Sequence, residues 1–172
     1  MTKTHDYIIE ELRQNKKVIG IFLDLSKAFD SIDNKILVDK LNRYGIRGPF
    51  NDLIKSYVSH RKCFTLVKEN ASDIREIEFG VPQGSILGPI LFTLYINDIK
   101  SLSNKADINL FADDTNLFCS DLNYNSLVQK CNTALKESDA WLKCNKLTLN
   151  TEKTHLVDFS KKSNNATVTK LL

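Results

Sequence analysis

The sequence is short of the residues that knit small metal-bound or stapled domains together. Its four cysteines, Cys63, Cys119, Cys131 and Cys144, are widely spaced and form no Cys-x-x-Cys pair. That argues against a zinc knuckle and against a disulfide scaffold, and the thiols read as small apolar fillers in a reducing compartment. Long apolar runs are missing too. The longest, "ILGPILFTLYI", carries a proline and is too short to cross a bilayer. The opening "MTKTHDYIIEELRQNKK" is polar and helical in pattern, without the apolar centre of a signal peptide. Neither sign of charge dominates: 24 Lys and Arg face 21 Asp and Glu, a net charge of +3 and a pI near 8.6. So mild a bias does not by itself point to nucleic acid. Proline and glycine are scarce, three and six in 172 residues, and they gather in "GVPQGSILGP", which reads as a structured loop.

What is present is enough for a core. Hydrophobic residues make up 42% of the chain and charged ones 26%, a composition suited to one domain, or to one domain with parts of a second. Tyr7, Ile8, Ile9 and Leu12 mark a short helix. "VIGIFL", Val18 to Leu23, is nearly continuous and reads as a buried strand ending at Asp24. Ile36, Leu37, Leu41 and Tyr44 share a helical face, with Asp33 as N-cap and Gly45 as stop. A second helix opens at Pro49. "CFTLV" and "IREIEF" read as short strands, and Pro89 starts the helix "PILFTLYINDIKSL". Strands near Ile108–Phe111 and Thr115–Cys119 form a hairpin around Asp113 and Asp114. A long helix runs from about Ser126 to Cys144, and the strand "HLVDF" closes the core. The residues from "SKKSNN" onward are polar. No internal repeat is visible.

Reduced to its core order, this is strand, helices, strand, turn, strand, helix, strand: an α+β, ferredoxin-like split βαβ arrangement. In its usual sheet order the first strand lies between the third and fourth and runs antiparallel to the third. Asp24, at the end of strand one, then abuts Asp113 and Asp114, at the start of strand three. Each acid taken alone reads as a turn or cap residue. Three converging from different elements raise one another's pKa unless a cation offsets them. Their hard oxygens select Mg²⁺ or Mn²⁺, and two such ions can clamp an in-line phosphoryl transfer. The site composition alone does not distinguish making a polymer from cutting one.

"FLDLSKAFDSI", "GVPQGSILGPILFTLYINDI" and "FADD" resemble three successive motifs of reverse transcriptases, most closely the non-LTR, LINE-type branch. The resemblance implies a polymerase palm over residues 18–160, a remnant of fingers or a linker helix over 1–17, and a polar tail or truncated link to a thumb over 161–172. It implies that Asp24, Asp113 and Asp114 hold the metal, Mg²⁺ or Mn²⁺, and that Phe29 lies under the incoming sugar and excludes a 2′-hydroxyl. It places Gln83 and Gly84 over nucleotide and template, Phe111 near the primer end, and Lys153 near the departing pyrophosphate. The implied reaction is template-directed addition of dNTPs to a DNA primer on an RNA template, within a longer retrotransposon protein and, for LINE-type enzymes, in the nucleus. No membrane partner is implied, and the oligomeric state is left open. A metal-dependent nuclease, an RNA-binding module without chemistry, and an inactive relic that keeps the fold remain as alternatives. So does a maturase or telomerase-like branch of the same chemistry.

Overall fold

A computed structural model describes residues 3–82, 84–102, 106–111, 114–160 and 169–170. The helices in chain order are α1 (Lys3–Arg13), α2 (Asn34–Arg43), α3 (Pro49–Val58), α4 (Leu87–Ile96) and α5 (Tyr124–Cys144). The strands are β1 (Lys17–Leu23), β2 (Arg61–Cys63), β3 (Leu66–Val67), β4 (Asn70–Ala71), β5 (Arg75–Ile77), β6 (Asp107–Phe111), β7 (Asp114–Asp121), β8 (His155–Asp158) and β9 (Thr169–Lys170). They divide between two units, residues 1–26 with 97–172, and residues 27–96.

The first unit is built on the apolar run that becomes β1. Its sheet has the order β6-β7-β1-β8-β9, and β1 pairs antiparallel with both β7 and β8. The first strand thus lies between the third and fourth strands of the split βαβ pattern, as the sequence predicts. Alternation along β1 sends Ile19, Ile21 and Leu23 to one face, and all three are buried, as are their ladder partners Cys119, Leu117 and Thr115. Ile19 and Leu156 share a small cavity of about 190 Å³ with Val128, Cys131 and Leu135 of α5, which identifies this as the helix-covered face. The opposite face is aromatic. Phe22 meets Phe118 edge-on at 5.9 Å, and Tyr7 of α1 approaches Phe118 at 6.3 Å. Gly20 lies between these rings. A Cβ there would come within 2.9 Å of both Phe118 and Phe159, so the ring packing leaves room only for glycine. Polar bonds tie α1 to β7: the Tyr7 hydroxyl and the Ser120 hydroxyl lie 3.2 Å apart, Ser120 donates to Glu11, and Lys16 pairs with Glu11 at 2.9 Å.

In the second unit α2 begins where Asp33 Oδ1 accepts the N–H groups of Lys35 and Ile36, at 2.9 and 3.0 Å. It stops at Tyr44, followed by Gly45 at φ +92°. Both ends match the expected cap and stop residues. Asp33→Ala is expected to lower stability by about 1 kcal/mol, read as a shifted urea midpoint at unchanged m. Pro49 is in the first turn of α3. Leu37, Leu41, Val58, Leu91, Phe92, Tyr95 and Ile96 are buried in this unit. Lys40 is buried with them; its ammonium donates to the Tyr95 carbonyl at 2.7 Å and lies 4.9 Å from that ring. A cation at the end of α4 meets carbonyls that have no helical partner.

Four features depart from the sequence reading, the first being that "CFTLV" divides between the end of β2 at Cys63 and β3 at Leu66–Val67, which pair in separate two-stranded sheets. Helix α4 starts at Leu87, two residues before Pro89, because first-turn N–H groups have no helical acceptor and proline loses nothing there. Ser85 caps that turn, its Oγ accepting the Gly88 N–H at 3.0 Å. The helix ends at Ile96, not near Leu102. A 3₁₀ turn, Asn97–Ser101, follows it, closed in part by Ser101 Oγ donating to the Asp98 carbonyl at 2.7 Å. Thr169–Lys170, in the segment that reads as a polar tail, pairs with His155 and Leu156 as the edge strand β9.

Candidate active site

The acids meet at one end of the five-stranded sheet. The last registered pair of β1 and β7 is Leu23↔Thr115. Asp24 follows Leu23 and Asp114 precedes Thr115, so the two acids stand one ladder step further on, at adjacent strand ends. Leu23 and Leu25 are buried while Asp24 between them is half-buried. The alternation therefore continues through Asp24 and turns it toward the face that carries Phe22. Asp114 is exposed and pairs across the hairpin with Phe111, which is 79% exposed at the tip. Asp113, between them, lies outside the described residues, as does Gln83.

Asp24 is gripped by its backbone, which leaves its carboxylate out of the fastening. Its N–H donates to Thr154 Oγ1 at 3.4 Å and its carbonyl accepts the Asn150 N–H at 2.8 Å. Thr154 is buried and donates in turn to the Asn150 carbonyl at 2.8 Å. Next along the chain, Leu25 bridges Leu149 and Ser26 N–H donates to the Thr148 carbonyl at 2.9 Å. Lys153 is exposed within this same turn, its N–H directed at the Asn150 carbonyl at 3.3 Å. The structure thus brings the backbone of the Lys153 turn onto Asp24. Sequence reasoning missed Thr154 and Asn150, since a polar turn residue carries no periodic signal.

Asp24 and Asp114 offer hard oxygen donors from two neighbouring strands, a set suited to Mg²⁺ or Mn²⁺ and ill suited to softer metals. Among the described residues no group of three such ligands forms; the remaining acid of the motif is Asp113.

The second unit holds the other residues singled out by the motifs. Phe29 lies in the 3₁₀ turn Ala28–Asp30, half-buried, its ring 4.9 Å from that of Phe92. Its carbonyl accepts the Val81 N–H at 3.0 Å. The preceding Gly80 has φ +77°, and a Cβ on it would come within 2.8–2.9 Å of the Phe29 and Asp30 backbone. Gly80 is therefore the glycine that permits close approach. Gly84, at φ +76°, is exposed, and a Cβ there would meet nothing within 4 Å, so its glycine answers to backbone conformation.

Residues 1–168 match the family described as reverse transcriptase (RNA-dependent DNA polymerase). The chain belongs to the reverse transcriptase family. Among curated proteins it is 28% identical over 155 residues to the probable RNA-directed DNA polymerase from transposon BS of Drosophila melanogaster, covering 86% of this chain and 17% of that protein. It is 35% identical over 99 residues to the probable RNA-directed DNA polymerase from transposon X-element of the same fly, covering 55% and 11%. The chain thus spans less than a fifth of those relatives' lengths. Its relatives are mobile-element polymerases, in keeping with the LINE-type resemblance of its motifs. Among solved structures, apo telomerase from Candida tropicalis superposes with a TM-score of 0.69 at 14% identity, covering 99% of this chain and 36% of that one. That likeness shows the fold, an α+β polymerase palm. Reverse transcriptases generally depend on a divalent metal. No helix among the described residues is long and apolar enough to cross a membrane.

Proposed function

We infer that this chain is the palm of an RNA-directed DNA polymerase that adds dNTPs to the 3′ end of a DNA primer on an RNA template. The observation that supports the reading is the meeting of Asp24 and Asp114 at neighbouring strand ends, in a chain that belongs to the reverse transcriptase family. Asp24, Asp114 and Asp113 would hold Mg²⁺ or Mn²⁺. The bound metal supplies charge neutralisation at the triphosphate and a lowered pKa at the primer hydroxyl. The chain's own residues supply position. The two-sided backbone grip on Asp24 fixes its main chain at the strand end, and the β6–β7 ladder fixes the main chain of Asp114 at the neighbouring one, so the two acids are placed before substrate arrives. Phe29 faces the incoming sugar, Gln83 and Gly84 the nucleotide and template, and Phe111 the primer end. Lys153 serves as a proton donor to the leaving pyrophosphate. The setting of this activity is the nucleus, where a LINE-type element meets chromosomal DNA.

Primer extension tests this reading. The chain is incubated with an RNA template, a DNA primer, dNTPs and Mg²⁺ or Mn²⁺, beside the Asp113→Asn/Asp114→Asn double variant. Extension that needs the metal and disappears in the variant is expected. Extension that survives the double variant would overturn the site. Cleavage of the supplied duplex without extension would assign the acids to a nuclease.

A further inference from the structure

Arg61 opens β2 just beyond α3, and its guanidinium serves three main-chain carbonyls. Nε donates to Val58 at 3.3 Å, and Nη2 donates to Phe79 at 2.7 Å and Gly80 at 2.5 Å. Val58 is the last residue of α3, where carbonyls lack helical partners and a cation is favoured. The segment held from this side is the one that holds Phe29 from the other. Phe79 bridges Asp33, the Gly80 N–H donates to Ile32 at 2.7 Å, and the Val81 N–H donates to Phe29 at 3.0 Å. Phe29 lies in a single 3₁₀ turn that cannot fix itself in place. Its position depends on this crossing and on the Phe92 ring.

A second tie spans part of the same gap. Asn34 Nδ2 donates to Val58 at 2.9 Å and to Glu78 at 3.0 Å. Without Arg61, Asn34 still joins α3 to the strand leading into the loop. The Phe79 and Gly80 carbonyls lose a donor, while the Gly80–Ile32 and Val81–Phe29 bonds remain. A lysine at this place would keep the charge but not the rigid fork that reaches three acceptors.

We propose that Arg61 is a positioning residue for sugar selection: it fixes Phe79–Val81, and through that crossing the Phe29 ring, so that its loss weakens the preference for deoxynucleotides over ribonucleotides. The proposal rests on the assignment of Phe29 as the sugar-facing residue. Steric exclusion of one hydroxyl depends on the placement of the excluding ring, and a displacement near 1 Å is enough to erode such discrimination.

The test uses the full chain with 4-fluorophenylalanine at position 29. The ¹⁹F resonance is recorded for the parent, Arg61→Gln, Arg61→Lys and, as a control on the neighbouring strand β5, Arg75→Gln. The ratio of kcat/KM for dNTP to that for rNTP is measured for the unlabelled variants and for Phe29→Ala. Arg61→Gln is expected to shift and broaden the resonance and to lower the ratio about tenfold, through KM for the ribonucleotide. Arg61→Lys should fall between, and Arg75→Gln should match the parent. An unmoved resonance in a folded Arg61→Gln or Arg61→Lys chain overturns the proposal without any turnover being needed. If Phe29→Ala changes the ratio and Arg61→Gln does not, the Arg61 step fails and the Phe29 assignment stands. If Phe29→Ala leaves the ratio alone, the Phe29 assignment fails and the proposal falls with it.

Discussion

Asp24→Asn is expected to lower nucleotide incorporation by about 10²–10³-fold, equivalent to roughly 3–4 kcal/mol of transition-state stabilisation. The fold should be indifferent to the change, because the grip on Asp24 comes through its N–H and carbonyl, to Thr154 and Asn150. Asparagine keeps the shape and removes one charge from a site where Asp114 is a neighbour at the next strand end. In metal-free buffer the thermal midpoint should therefore hold or rise slightly as like-charge repulsion is relieved. In millimolar Mn²⁺ the order should reverse. A ligand that binds only the folded chain raises its midpoint, so the parent should gain stability and Asp24→Asn should gain much less. Thermal melts with and without Mn²⁺ check this without any polymerase assay. Equal stabilisation of both chains would place the metal elsewhere.

Gly80→Ala is expected to be the most disruptive single methyl group in residues 27–96. At φ +77° any side chain meets the left-handed penalty of about 1–2 kcal/mol. The added Cβ would also lie 2.8 Å from Asp30 Cα and 2.9 Å from the Asp30 and Phe29 carbonyl oxygens. These are backbone atoms and cannot swing aside, so overpacking adds about 1–3 kcal/mol. The sum, about 2–5 kcal/mol, is measurable by urea unfolding. Gly84→Ala supplies the comparison. It has the same sign of φ with open space around the new methyl, so only the backbone penalty of about 1–2 kcal/mol is expected. Equal losses at the two positions would show that the contact with Phe29 and Asp30 contributes nothing.

The parts of the fold that were legible in the sequence are those written in local chemistry. Continuous burial in β1, the Asp33 cap, the Gly45 stop and the proline opening α3 all follow from a few adjacent residues, and the sheet order followed from the order of elements. The juxtaposition of Asp24 with Asp114 followed from that order too, since register alone sets them opposite. What stayed hidden depends on partners far away in the chain. Arg61 reads as one more surface cation until three carbonyls are found around it. Thr154 reads as a turn residue until its hydroxyl is found under the Asp24 N–H. Gly80 and Gly84 look alike in "GVPQG", and only the neighbouring backbone separates a glycine chosen for space from one chosen for its torsion. β9 gave no signal because a strand of two residues is too short for an alternating pattern to show in the sequence.

The placement of β1 also dictates an order of assembly. Its two ladder partners, β7 and β8, come after the whole of residues 27–96 in the chain. During synthesis that intervening stretch is complete while β1 still has both edges unpaired, a non-local pairing of the kind that closes slowly. The carboxylate of Asp24 therefore gains its neighbour only when the β6–β7 hairpin arrives. Any message cut before Asp114 yields a chain with one acid and no counterpart. Copies damaged late and copies damaged early thus differ in kind: the first can keep the acid pair, whereas the second never assemble it.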